Sequence, residues 1–120
     1  MSLAGKSVLL LEGDPIVSTD LAMMLEDRGA RVVGPFRTVA PGLAALDRGL
    51  PGAALLGIEL LDGRSFAVVA QLRSNGVPVL LYSRKGSEGY DAARAGDVPL
   101  LSKAHPGSVA VDRLATLVAG

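Results

Sequence analysis

Five short apolar runs recur along the chain, each followed by a stretch of helical period, and this alternation limits the folds open to it. The runs are residues 7–11 (SVLLL), 31–33 (RVV), 53–58 (AALLGI), 77–82 (VPVLLY) and 98–101 (VPLL). Four of the five are continuously apolar rather than alternating. Strands read this way when both faces are covered, as in a parallel sheet between helix layers. The intervening stretches carry helix ends. Asp14-Pro15 places a capping carboxylate before a proline at the first helical position, and Gly29 closes that segment. Within it Val17, Leu21, Met24 and Leu25 fall on one stripe. A second helix is predicted from near Thr38 to before Gly49, with Val39, Leu43 and Leu46 inward. A third runs from about Ser65 to Ser74, with Phe66, Val69 and either Leu72 or Arg73 inward, and a fourth covers 87–95. The last begins at His105-Pro106 and carries Ala110, Leu114, Leu117 and Val118 on one face. Gly34-Pro35 and Pro51-Gly52 read as turns.

Five strands alternating with five helices predict a doubly wound α/β three-layer sandwich. Right-handed crossovers leave few strand orders, and the flavodoxin-like order 2-1-3-4-5, all parallel, suits 120 residues. A single domain over 1–120 is expected, with residues 1–5 an added or disordered start. Composition removes other classes. With 49% hydrophobic and 20% charged residues the chain can bury a core, and a net charge of zero offers no surface for nucleic acid. No apolar run nears the roughly 18 to 20 residues of a membrane span. There is no secretory signal, so a cytoplasmic location is expected. The absence of cysteine excludes disulfides and thiolate chemistry, and a single histidine excludes a multi-histidine metal site. Neither a P-loop nor GxGxxG is present.

In such a sheet, ligands sit beyond the carboxyl ends of the strands at the switch point. Those ends carry Glu12, Gly13 and Asp14 after the first strand, Gly57 and Glu59 after the third, Ser83 after the fourth and Lys103 after the fifth. Three carboxylates, a hydroxyl and a lysine would form an acidic pocket with one cation facing it. The same residues also allow a blander reading, in which Asp14 caps a helix and Glu12, Glu59 and Lys103 are solvated.

The segments LLLEGDP, AALLGIELLDG, VPVLLYS and PLLSKA together resemble the signature segments of the response-regulator receiver domain, over essentially the whole chain from Lys6 to Val118. The resemblance implies a two-component signalling module, phosphorylated on an aspartate after the third strand with Mg²⁺ held by an acidic pair. It also implies that Ser83 and Lys103 occupy the positions that bind phosphoryl oxygens. The sequence departs from that pattern where the chemistry is done. Gly57 stands at the phosphoacceptor position, and Gly13 stands where a direct Mg²⁺ carboxylate belongs, leaving Glu12 from the pair. Leu100 occupies the aromatic switch position, and Ala104, not proline, follows the lysine. A cis bond there would cost about 2.5 to 4 kcal/mol, so a trans loop is expected.

The expectation is therefore a degenerate receiver, not an enzyme and without a cofactor, its Mg²⁺ site lost, acting through protein contacts. Lys103 is expected to pair with Glu12 or Glu59. The resemblance implies partners such as a histidine kinase, a phosphotransferase or another regulator. It also implies a homodimer or target face on helix 4, strand 5 and helix 5, including Tyr90, Arg94, Leu100, Val109 and Arg113. Two alternatives stay open: phosphorylation at an atypical residue such as Asp62 or Ser83, or a flavodoxin-like small-molecule site. Two Phe, two Tyr and no Trp offer few rings for a flavin. His105, before a proline, is read as solvated, Arg84, Lys85 and Arg94 as a solvated face, and Met23 and Met24 as packing.

Overall fold

A computed structural model describes residues 2–120. Strands β1 (Ser7–Leu11), β2 (Arg31–Phe36), β3 (Ala53–Leu56), β6 (Val79–Ser83) and β7 (Leu100–Ser102) form one parallel sheet in the order β2-β1-β3-β6-β7. A two-stranded hairpin, β4 (Glu59–Leu60) and β5 (Gly63–Arg64), lies between β3 and the third helix. Setting that hairpin aside, the main sheet has the expected 2-1-3-4-5 order. Helices α1 (Pro15–Asp27), α2 (Val39–Arg48), α3 (Phe66–Ser74), α4 (Glu88–Ala95) and α5 (Gly107–Ala119) cover its two faces.

The continuous apolar runs divide between those faces. Val8 and Leu10 of β1 pack with Leu21 and Leu25 of α1 and Ala110 and Leu114 of α5. Leu9 and Leu11 face the other way, onto Leu46 of α2 and Val68, Val69 and Leu72 of α3. Each fully buried leucine contributes about 2 kcal/mol of transfer free energy, so the central strands dominate the core. On α3 the inward residue in the last turn is Leu72; Arg73 is exposed. Gly29 has φ +86° just past α1. Its N–H donates to Glu26 and that of Ala30 to Leu25, which satisfies the last carbonyls of the helix. Gly42 brings α2 down onto Leu11, since a Cβ there would lie 2.9 Å from a Leu11 methyl.

Three expectations change. From Leu3 on the chain is tied down: Leu3 is fully buried and its N–H donates to the Arg28 carbonyl at 3.0 Å. Gly34-Pro35 is not a turn but part of β2, at a register shift opposite Leu9 to Leu11. An edge strand tolerates proline, because one side of its backbone needs no partner. The last two strands begin later than their apolar runs. Pro78 and Pro99 have no N–H to pair, yet their carbonyls accept from Ala54 and Leu81 at the strand entries.

Candidate functional site

The carboxyl ends of β1, β3, β6 and β7 surround a cavity of about 370 Å³. It is lined by Glu12, Gly13, Asp14, Gly57, Glu59, Ser83 and Lys103, so the sheet brings together every pocket residue expected from the sequence. Leu60 and Leu61 of the hairpin close one side, and Arg84 and Ser87 border another.

Glu12 is the buried centre, only 3% exposed. The Lys103 Nζ donates to its Oε2 at 3.0 Å and lies 2.8 Å from its Oε1. The Asp14 N–H also donates to Oε2, at 2.9 Å. Of the two partners expected for Lys103, Glu12 is the one it takes. Glu59 is turned away, exposed and paired with Arg64 at 3.4 Å, and Arg64 reaches Glu88 of α4 at 3.3 Å. Asp14 caps α1, accepting from the N–H groups of Ile16 and Val17 at 2.8 and 3.2 Å.

At the two glycines a Cβ could be added without a clash. A Cβ on Gly57 would meet Glu12 Oε1 at 3.5 Å and the Leu11 carbonyl at 3.6 Å, both ordinary contacts. On Gly13 it would meet the Glu59 carbonyl at 3.4 Å. The backbone at 57 is held on both sides. Its N–H donates to Leu11 at 2.7 Å, and its carbonyl accepts from the fully buried Ser65 hydroxyl at 2.7 Å. The Ser65 bond was missed in the sequence, where Ser65 marked only a helix start.

Ser83 is buried on the cavity wall, and its carbonyl accepts from the Lys103 N–H at 2.8 Å. Tyr82 lies beneath Lys103, with Nζ 6.0 Å from the ring centroid, and its hydroxyl donates to the His105 carbonyl at 2.6 Å. Burial, and then the charge of Glu12, pushes the Tyr82 phenol above its ordinary range. Lys103–Ala104 is trans, as expected; the cis bond among the described residues is Gly34–Pro35. Leu100 is half-buried against the α2/α3 core, and His105 is exposed.

Asp62 does not face the cavity. Its carboxylate accepts from the N–H groups of Val39 and Ala40 at 2.7 and 3.2 Å, capping α2 from the hairpin, while Thr38 makes no side-chain cap. The Val39 hydrogen bond is the main cause that holds its carboxyl below the usual range. On the expected partner face Arg94 and Arg113 are exposed. Tyr90 is not: it is buried under α4, because the N-cap Ser87 sets the helix phase and accepts from the Tyr90 N–H. Val109 is half-buried against the α1/α5 core. Among the described residues no group of three or more His, Asp or Glu side chains gathers to hold a metal ion.

A five-stranded parallel sheet with a ligand-sized cavity at its carboxyl ends, floored by a lysine and an acidic residue, is the receiver-type α/β architecture. Solved structures agree. The chain is similar to the response regulator PhyR from Brucella abortus at 25% identity and TM-score 0.76, covering 98% of this chain and 48% of that one. It is similar to an anti-anti-sigma factor PhyR variant from Bartonella quintana at 20% identity and TM-score 0.77, covering 99% and 50%. The receiver domain of a sensor histidine kinase from Pseudomonas aeruginosa, solved with magnesium in its active-site cleft, matches at 20% identity and TM-score 0.82, covering 98% and 100%. The chain thus has the fold of the response-regulator receiver domain, and it spans about half the length of the two PhyR chains. No protein-family model and no curated protein matches its sequence.

Proposed function

We propose that the chain is a receiver-like signalling module that has given up phosphoryl chemistry and works by binding protein partners in one conformation. Gly57 carries the reading: with no side chain at the acceptor position, no aspartyl phosphate can form there. The residues present do not fit Mg²⁺. That ion needs near-octahedral oxygen ligands. Here positions 13 and 57 are glycine, Asp14 caps α1, and both Glu12 oxygens face the Lys103 ammonium. Lys103 is thereby held by an internal carboxylate instead of waiting for a phosphoryl group. The protein is not an enzyme in this reading, and it needs no cofactor.

The neighbours named a response regulator and an anti-anti-sigma factor suggest protein partners; for this chain we take these to be a histidine kinase, a phosphotransferase or another regulator. The face of α4, β7 and α5 offers Arg94, Arg113 and the half-buried Leu100 to such a partner or to a second copy. No helix among the described residues is long and apolar enough to cross a membrane, and a cytoplasmic setting suits a partner of this kind.

Incubation with acetyl phosphate and Mg²⁺, followed at once by intact mass measurement, tests the proposal. The expected result is no adduct on this chain and an adduct on a Gly13→Asp/Gly57→Asp control, in which a Cβ at either position meets only ordinary contacts. An adduct on the unaltered chain overturns it and makes the modified residue the site.

A further inference from the structure

Away from the strand-end cavity, α2 does not close fully on the edge strand β2, and a groove of about 290 Å³ remains between them. Strand pairing sets its floor. Ser7 pairs with Arg31 and Leu9 with Val33, so these four share the α2 face, and Phe36 extends the floor beyond the register shift. Ala45 and Leu46 of α2 form the roof. From Arg31 to Phe36 the floor runs about 16 Å, at roughly 3.3 Å per residue.

The groove is asymmetric in charge. Arg31 opens β2 and Arg48 closes α2, so two guanidiniums border one end, beside the half-exposed Leu50. Among the described residues neither makes an ion pair. Beyond them the walls are apolar. Cations at one end of an apolar slot suit an anionic head group on a hydrocarbon tail, and the small volume favours the compact carboxylate over a bulkier phosphate or sulfate. The volume sits at the lower limit of small-molecule sites, about 300 Å³, and is too small for a docked helix. The Gly34-Pro35 break in β2 also blunts the edge against an added strand.

We propose that this groove binds an amphiphilic carboxylate, an unbranched acyl chain along Val33, Phe36 and Ala45 with its head group between Arg31 and Arg48. The site is independent of the strand-end cavity and of the function proposed above. The test is titration of the isotope-labelled protein with sodium decanoate below its micelle concentration, followed by amide NMR shifts. Saturable shifts confined to residues 31–36 and 45–50 are expected. Decanol should bind about tenfold more weakly, as should decanoate to Arg31→Gln/Arg48→Gln, reflecting two partly exposed ion pairs. Ala45→Phe, shown to be folded by thermal unfolding, should fill the slot and abolish binding. Non-saturating or scattered shifts overturn the proposal. So does decanol binding as tightly as decanoate, or the arginine double variant binding like the parent.

Discussion

The two sides of the strand-end cavity carry opposite chemistry. On the β1 and β3 side the chain places glycine at 13 and 57, and the backbone of Gly57 is held by Leu11 and Ser65. On the β6 and β7 side it keeps Ser83 and Lys103, and Lys103 is tied to Glu12. The difference teaches which residues the fold itself needs. Positions 13 and 57 bring no charge into the cavity, whereas Lys103 pairs with a glutamate that is almost wholly buried.

The largest effect that could break this contrast lies at the ion pair. Lys103→Ala leaves Glu12 buried without its counter-charge and should lower stability by about 3 kcal/mol in urea unfolding. Lys103→Ala/Glu12→Gln should recover most of the loss. An unchanged midpoint in the single variant would make the lysine as dispensable as the absent acids.

Tyr82→Phe comes next. It removes the donor to His105 and should cost about 1 kcal/mol at neutral pH. The folded phenol titrates above its unfolded value of about 10. Its contribution is therefore complete below that pH and is lost as pH rises through the folded value. The gap between parent and variant should narrow above about pH 10, which alkaline unfolding curves would reveal.

The smallest effect belongs to the open side. Gly57→Ala places a Cβ at ordinary contact distances and should shift stability by less than about 1 kcal/mol. A large loss by the same urea assay would show that the glycine, too, is structurally required.

The five main strands were legible because four of their runs are continuously apolar, and the helices because their apolar stripes are bounded by Gly, Pro, Asp and Ser. The pocket was legible because strand ends in a parallel sheet converge wherever their sequence positions lie. The Lys103 partner was narrowed to two acids, and only packing could choose: Glu12 is enclosed, while Glu59 is drawn outward by Arg64. The hairpin was not legible, since strands of two residues have no period to detect. Tyr90 was read as surface, although its distance of three residues from Ser87 could have flagged a capped and inward-facing first turn. Asp62 was read as an alternative acceptor, and its bond to Val39 spans a separation of 23 in sequence that no local pattern encodes.

That last bond has a consequence in the order of synthesis. The acceptor for the first turn of α2 belongs to a hairpin made after both α2 and β3. While the chain emerges, the N–H groups of Val39 and Ala40 must face water until residue 62 has followed and β3 has found its place beside β1. The amino-terminal half therefore carries its second helix with an uncapped start, and the cap is added only when the hairpin docks.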